Sequence, residues 1–122
     1  MRPRLISIIC IAGLLLTVIA CGPDSIFLKY GLDTPAHHTD NGYRFLDNKK
    51  YDAAFGEFNR AIELDPNYSP AYVGLGLAYG FRGSPEKAVA TMQKARELAR
   101  DEEQRKLVDD GFEKLKQMGI AN

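Results

Sequence analysis

The sequence has little with which to do chemistry. Its two cysteines, Cys10 and Cys21, both fall at the N-terminal end, so no disulfide framework staples the rest of the chain. Its two histidines, His37 and His38, are neighbours. On a helix they point about 100° apart, and no His or Cys stands at i+3 or i+4 to complete a metal pair. An excess of charge of one sign is also missing: 16 basic against 16 acidic side chains give a net charge of zero, which removes the electrostatic case for nucleic acid. No serine or cysteine nucleophile stands in a recognisable catalytic context. Glu102-Glu103 and Asp109-Asp110 lack the Gly-centred loop of a calcium site. The run Gly74-Leu75-Gly76-Leu77-Ala78-Tyr79-Gly80 follows no strand and has its third glycine one place too late for a dinucleotide loop. It reads as helix packing. The expectation is a protein that is no enzyme, with no cofactor, no metal and no nucleic-acid partner.

What is present begins with a targeting segment. Met1-Arg2-Pro3-Arg4 is a positive start, and Leu5 to Ala20 is an apolar run broken only by Ser7, Gly13 and Thr17. The run is shorter than the roughly 18–20 residues of a spanning helix and suits a signal peptide over residues 1–20. It ends in Val18-Ile19-Ala20-Cys21, which resembles the bacterial lipobox. That resemblance implies that Cys21 is lipidated and becomes the mature N-terminus, so that the protein is attached to a membrane rather than spanning it. Cys10 is an apolar residue discarded with the signal. Gly22 after the cysteine, rather than Asp, resembles lipoproteins sent to the outer membrane. The expected location is therefore the cell membrane or outer membrane, lipid-anchored, on the periplasmic or extracellular face. Residues 21–34 form a short tether whose Ser25–Leu32 part, SIFLKYGL, is largely apolar. It either packs on the domain or lies at the lipid interface.

The rest of the chain is organised around Tyr51 to Asn67. Tyr51, Ala54, Phe55, Phe58, Ala61 and Ile62 recur at three- and four-residue steps and share one helix face. Pro66 ends that helix. A lag of 34 residues brings the pattern back: Gly42/Gly76, Ala54/Ala88, Ala61/Ala95, Glu63/Glu97 and Leu64/Leu98 are identities. Phe45/Tyr79, Phe58/Met92 and Arg60/Lys94 are conservative matches at the same lag.

Helix signals fill in the order. Thr34-Pro35 opens a helix running to about Asn48, the weakest of the set because Asp40-Asn41-Gly42 is turn-like. Ser69-Pro70 is expected to cap and open a helix carrying Tyr72, Leu75, Gly76 and Tyr79, and Gly83 closes it. Ser84-Pro85-Glu86 starts the next helix with a hydroxyl cap, and Ala88, Val89, Met92, Ala95 and Ala99 form its buried stripe. Arg100 replaces the Pro66 of the first copy, so the chain need not break there. Asp101 and Gln104 have the spacing of a capping box. Leu107, Val108, Gly111, Phe112, Leu115 and Met118 make a last apolar stripe, with Gly119 as its stop. This gives five helices, with a sixth short one near Ser25 as a further option.

The 34-residue period with small residues and aromatics at fixed places resembles the tetratricopeptide repeat family. The signature positions are Gly42, Phe45, Ala54, Phe58, Ala61 and Pro66 in residues 35–68, and Tyr72, Leu75, Gly76, Tyr79, Gly83, Ala88 and Ala95 in residues 69–102. His38 and Asn41 depart from it, standing where the family has a large aromatic and a leucine. The implied fold is all-α: a solenoid of two helix-turn-helix repeats with a capping helix in residues 103–122. The implied function is protein binding on the concave face made by the first helix of each repeat. On that resemblance the groove carries Thr39, Tyr43, Leu46 and Asp47, then Val73, Leu77, Gly80 and Phe81, then Leu107 and Gly111. Thr39, Tyr43 and Gly74 stand where carboxylate-clamping members have Lys, Arg and Asn, so the groove is apolar and aromatic. Two repeats and a cap are few for a stable solenoid. The partner is thus a protein of an envelope assembly, for which this chain is an adaptor or scaffold, or the chain itself: a self-associating or accessory subunit whose groove is filled by Ile26, Phe27 and Tyr30.

Overall fold

A computed structural model describes residues 33–121. The targeting segment, Cys10, Cys21, and the piece Ser25–Leu32 with its optional sixth helix lie outside the described residues. Among the described residues there are five α-helices and no strand: α1 Pro35–Asp47, α2 Tyr51–Leu64, α3 Ser69–Phe81, α4 Pro85–Leu98 and α5 Glu102–Gln117. No described helix is long and apolar enough to cross a membrane. α1 pairs with α2 and α3 with α4, and α5 lies against both α3 and α4. α3 touches all four other helices, which is why it is apolar on every side and buries Val73 through Ala78 without interruption.

Two large side chains lock the pairs, each against glycines. The Phe58 ring of α2, fully buried, lies between Gly42 of α1 and Gly74 of α3. A Cβ on either glycine would collide with the ring. Met92, one period later, fills the same place between Gly76 of α3 and Gly111 of α5. The turn-like Asp40-Asn41-Gly42 is therefore helix interior: Gly42 is there for the ring, not for a bend. Tyr43 adds an edge-to-face contact to Phe58, with centroids 5.4 Å apart.

The helix ends follow the sequence signals in part. Thr34 Oγ1 accepts from the His37 N–H at 3.2 Å, and α1 stops at Asp47 with Asn48 as its C-cap. The two serine caps are corrected. Ser69 is the first residue of α3 and is fully buried, its hydroxyl donating to the Ala95 carbonyl at 2.8 Å, so it joins α3 to α4. Ser84 occupies the N-cap position of α4 but makes no side-chain cap. Although Arg100 replaces the proline of the first copy, the chain breaks here as well: α4 ends at Leu98, one period after Leu64. Asp101 accepts from the Gln104 N–H at 2.8 Å, while the Gln104 side chain accepts from the Arg100 N–H at 3.0 Å. That reciprocal pair starts α5 where proline is missing.

α1, α3 and α5 close in one way. The Lys50, Ser84 and Ile120 N–H groups return to the Phe45, Tyr79 and Leu115 carbonyls at 2.8, 3.0 and 2.9 Å, the Schellman pattern that places its penultimate residue in the left-handed region. Gly83 (φ 72) and Gly119 (φ 76) occupy that position after α3 and α5. After α1 it is Lys49, at φ 58, a conformation costing an L-residue about 1–2 kcal/mol.

His38 explains its own departure from the repeat pattern. Its Nδ1 lies 2.7 Å from Glu57 Oε2 and its Nε2 2.9 Å from Asp33 Oδ1, and Asp33 in turn accepts from Arg60 Nη2 at 2.8 Å. A hydrogen-bonded chain thus ties α1 to α2 where an aromatic would otherwise pack. Burial opposes the imidazolium, but the hydrogen bonds to Glu57 and Asp33 outweigh it and raise the His38 pKa above its ordinary 6.5.

Two outcomes are expected. Phe58→Ala should cost about 3–5 kcal/mol of unfolding free energy, and Gly74→Ala about 1–3 kcal/mol because the wedged ring cannot retreat. In the double variant the new methyl enters the space the ring leaves, so its loss should be smaller than the sum, as chemical denaturation would read. Second, a raised His38 pKa gives stability that is complete below pH 6.5 and is lost as the pH rises through the folded-state value. The melting temperature should fall from about pH 6 to 8, and His38→Gln should remove that part of the slope.

Candidate functional site

The first helices of the repeats, α1 and α3, lie side by side, with α5 next to α3. Equivalent residues therefore form rows across them at the 34-residue lag: Thr39-Val73-Leu107, Tyr43-Leu77-Gly111, Leu46-Gly80-Lys114 and Asp47-Phe81-Leu115. The rows differ in what they do. Thr39 and Val73 are buried, and Val73 packs toward Gly111. They belong to the core, and with half-buried Leu107 they stay outside the depression that the other rows form. Gly80 closes against Leu115, Met118 and Ile120.

The remaining rows enclose a depression of about 230 Å³, lined by Tyr43, Leu46, Asp47, Lys49, Tyr51, Leu77, Phe81 and Lys114. Five of the expected groove residues meet there: Tyr43, Leu46, Asp47, Leu77 and Phe81. Leu46 and Leu77 are nearly buried, at 6% exposure each, so they are its floor. Phe81, at 39%, is the exposed large hydrophobic residue of the described chain. Its ring stacks on Tyr51 with centroids 5.6 Å apart and planes 9° from parallel, and the Lys114 ammonium lies 5.9 Å from the ring centre. A flat aromatic pair held open beside an aliphatic floor can take a large apolar side chain.

Burial pushes the Tyr43 hydroxyl well above its ordinary range, helped by Tyr68 and Asp40, so it stays neutral. Neither that hydroxyl nor Thr39 Oγ1 has a hydrogen-bond partner among the described residues. No group of acids, histidines or cysteines among the described residues is arranged to hold a metal.

Sequence reasoning missed Lys49, Tyr51 and Lys114. Tyr51 lies on the apolar face of α2, whereas the family's groove is assigned to first helices; the short α1–α2 turn brings it to the rim. Lys114 was findable, because it is the residue one period after Gly80. Lys49 was findable in the same way, standing one period before Gly83.

The comparisons agree with this architecture. A profile of the tetratricopeptide repeat matches residues 45–109, from the end of α1 to the middle of α5 and so across the second half of one repeat and all of the next. No curated protein matches the chain. With more than half of its length covered by that profile, and with helix pairs locked at a 34-residue interval, the chain belongs to the tetratricopeptide repeat family.

Proposed function

We infer that this chain is a membrane-anchored adaptor, which holds a segment of another protein in the depression between its repeats as part of a bacterial envelope assembly. Tetratricopeptide repeats are protein-interaction units, so binding a protein partner is the family's general task. The observation that carries the finer reading is the Tyr51–Phe81 stack. A solitary exposed aromatic is ordinary, but a stacked pair at the mouth of a lined depression is the form of a binding anchor. The anchor is assigned to Cys21 on the sequence Val18-Ile19-Ala20-Cys21. Acyl chains contribute about 0.8 kcal/mol per buried methylene, so two or more hold a protein stably at a bilayer. An adaptor of this kind confines its partner to the membrane surface and raises its local concentration there.

The test is cross-linking in the native membrane fraction followed by affinity capture. Phe81→Glu is the groove variant of choice, because Leu77 is buried and the Tyr43 ring packs on Phe58, so a charge at either would disturb the core. A partner cross-linked by the wild type should be lost with Phe81→Glu while circular dichroism is unchanged. Equal recovery would remove the depression from consideration, and a cross-link to a second copy of this chain would favour a self-associating subunit.

Cys21→Ser should abolish metabolic labelling with a fatty acid and release the chain from the membrane fraction. Unchanged labelling would end the lipoprotein assignment.

A further inference from the structure

Lys49 is the residue that the fold would not choose. It holds the left-handed position at the end of α1 that Gly83 and Gly119 hold at the ends of α3 and α5, where glycine has no Cβ penalty. Helix-end electrostatics do not account for it. A cation is favoured near a helix C-terminus, but α3 and α5 place Arg82 and Lys116 ahead of their glycines and leave the left-handed position to glycine. Strain retained at one of three equivalent positions points to a use for the side chain.

Its surroundings say what that use is. Lys49 lines the depression together with Lys114, and it also lines the adjoining hollow at the start of α2 with Lys50 and Arg82. Arg82 is engaged with Asp52 at 2.7 Å. Lys49, Lys50 and Lys114 make no ion pair among the described residues, although most other cations do. The one acid on the depression is Asp47. Asp52, the acid of the adjoining hollow, is the partner of Arg82, so among the described residues three unpaired ammonium groups stand with one free carboxylate, Asp47, around the two recesses.

We propose that Lys49 is a specificity residue of the groove. With Lys50 and Lys114 it selects an acidic protein segment that places one large apolar side chain on Leu46, Leu77, Tyr51 and Phe81 and sets its carboxylates on the three ammonium groups. The inference rests on the concave depression being the binding site. A peptide fits better than a lipid surface, because the apolar groups line a recess with charges around it, whereas membrane docking uses apolar groups that project. The unpaired lysines then give selectivity and encounter rate, with the buried contact supplying the grip.

The test uses the full chain in neutral detergent and three fluorescein-labelled nonapeptides. Each has a central phenylalanine, flanked throughout by glutamate, by lysine or by serine. The acidic peptide should bind at least about tenfold more tightly than the other two and weaken as salt rises, as a charge-dependent contact must. Lys49→Gly should raise the melting temperature, because it relieves the left-handed backbone, yet weaken the acidic peptide severalfold. Lys49→Arg should keep the affinity, and Lys114→Glu should lower it. Undiminished binding by Lys49→Gly would overturn the proposal. If all three peptides bound alike and Phe81→Ala weakened all of them, the groove would stand and its charge selectivity would fall. If no peptide bound in a way that depends on Phe81, both readings would fall. Capture of phosphatidylglycerol vesicles through Lys49, with no preference among the peptides, would replace the acidic segment with a lipid headgroup.

Discussion

The wedge of Phe58 between two glycines is the contact on which the rest depends. An α-helix is about 10–12 Å across with its side chains, and α1 and α3 can both approach α2 at this point only because Gly42 and Gly74 present bare backbone to the ring. The ring then acts as a spacer that fixes the distance of both neighbours at once. Met92 repeats the arrangement between Gly76 and Gly111 with a longer, more adaptable side chain. Because Met92 bears on α5 as well as α3, the cap is held by the same device as the repeats.

That spacing sets the opening of the groove. With α1, α3 and α5 held by the wedges, the rows at one end of these helices are pressed into the core, as Thr39 and Val73 are. At the other end α1 and α3 leave a recess between them, while Gly80 of α3 stays closed against Leu115 of α5. The closing turns sit at that same end, and they bring Tyr51 and Lys49 to its edge. The recess therefore lies beside the turns rather than along the whole concave face, where its shape depends on how the helices end as well as on which faces they bury.

His38 shows a different use of a departure from the repeat. An aromatic residue would fill its place by packing alone, whereas the imidazole is held by Glu57 and Asp33 and passes the connection on to Arg60. Among exposed groups such pairs contribute little singly, but here they fix the first turn of α1, whose buried residues are Thr39, Gly42 and Leu46. The same contact makes the first repeat's stability depend on proton concentration, which a hydrophobic contact would not.

Much of the architecture was legible in the chain. The stripe through Tyr51, Phe58 and Ile62, the return of Gly42, Ala54 and Ala61 one period later, and the stops at Pro66, Gly83 and Gly119 determined five helices, their pairing and their order, because periodicity and backbone restriction are local properties that a linear sequence carries. Five of the eight residues that line the depression were legible too, Leu46 together with the row that joins Tyr43 to Leu77 and the row that joins Asp47 to Phe81. The tertiary structure alone decided that Ser69 reaches the Ala95 carbonyl instead of capping its helix, that Val73 is core, that Tyr51 of a second helix stacks on Phe81, and that Lys49 adopts a left-handed backbone. The first three depend on atoms far apart in sequence competing for the same space or the same hydrogen bond, which only the packed chain settles, and the fourth is a local helix-closing turn that no glycine marks.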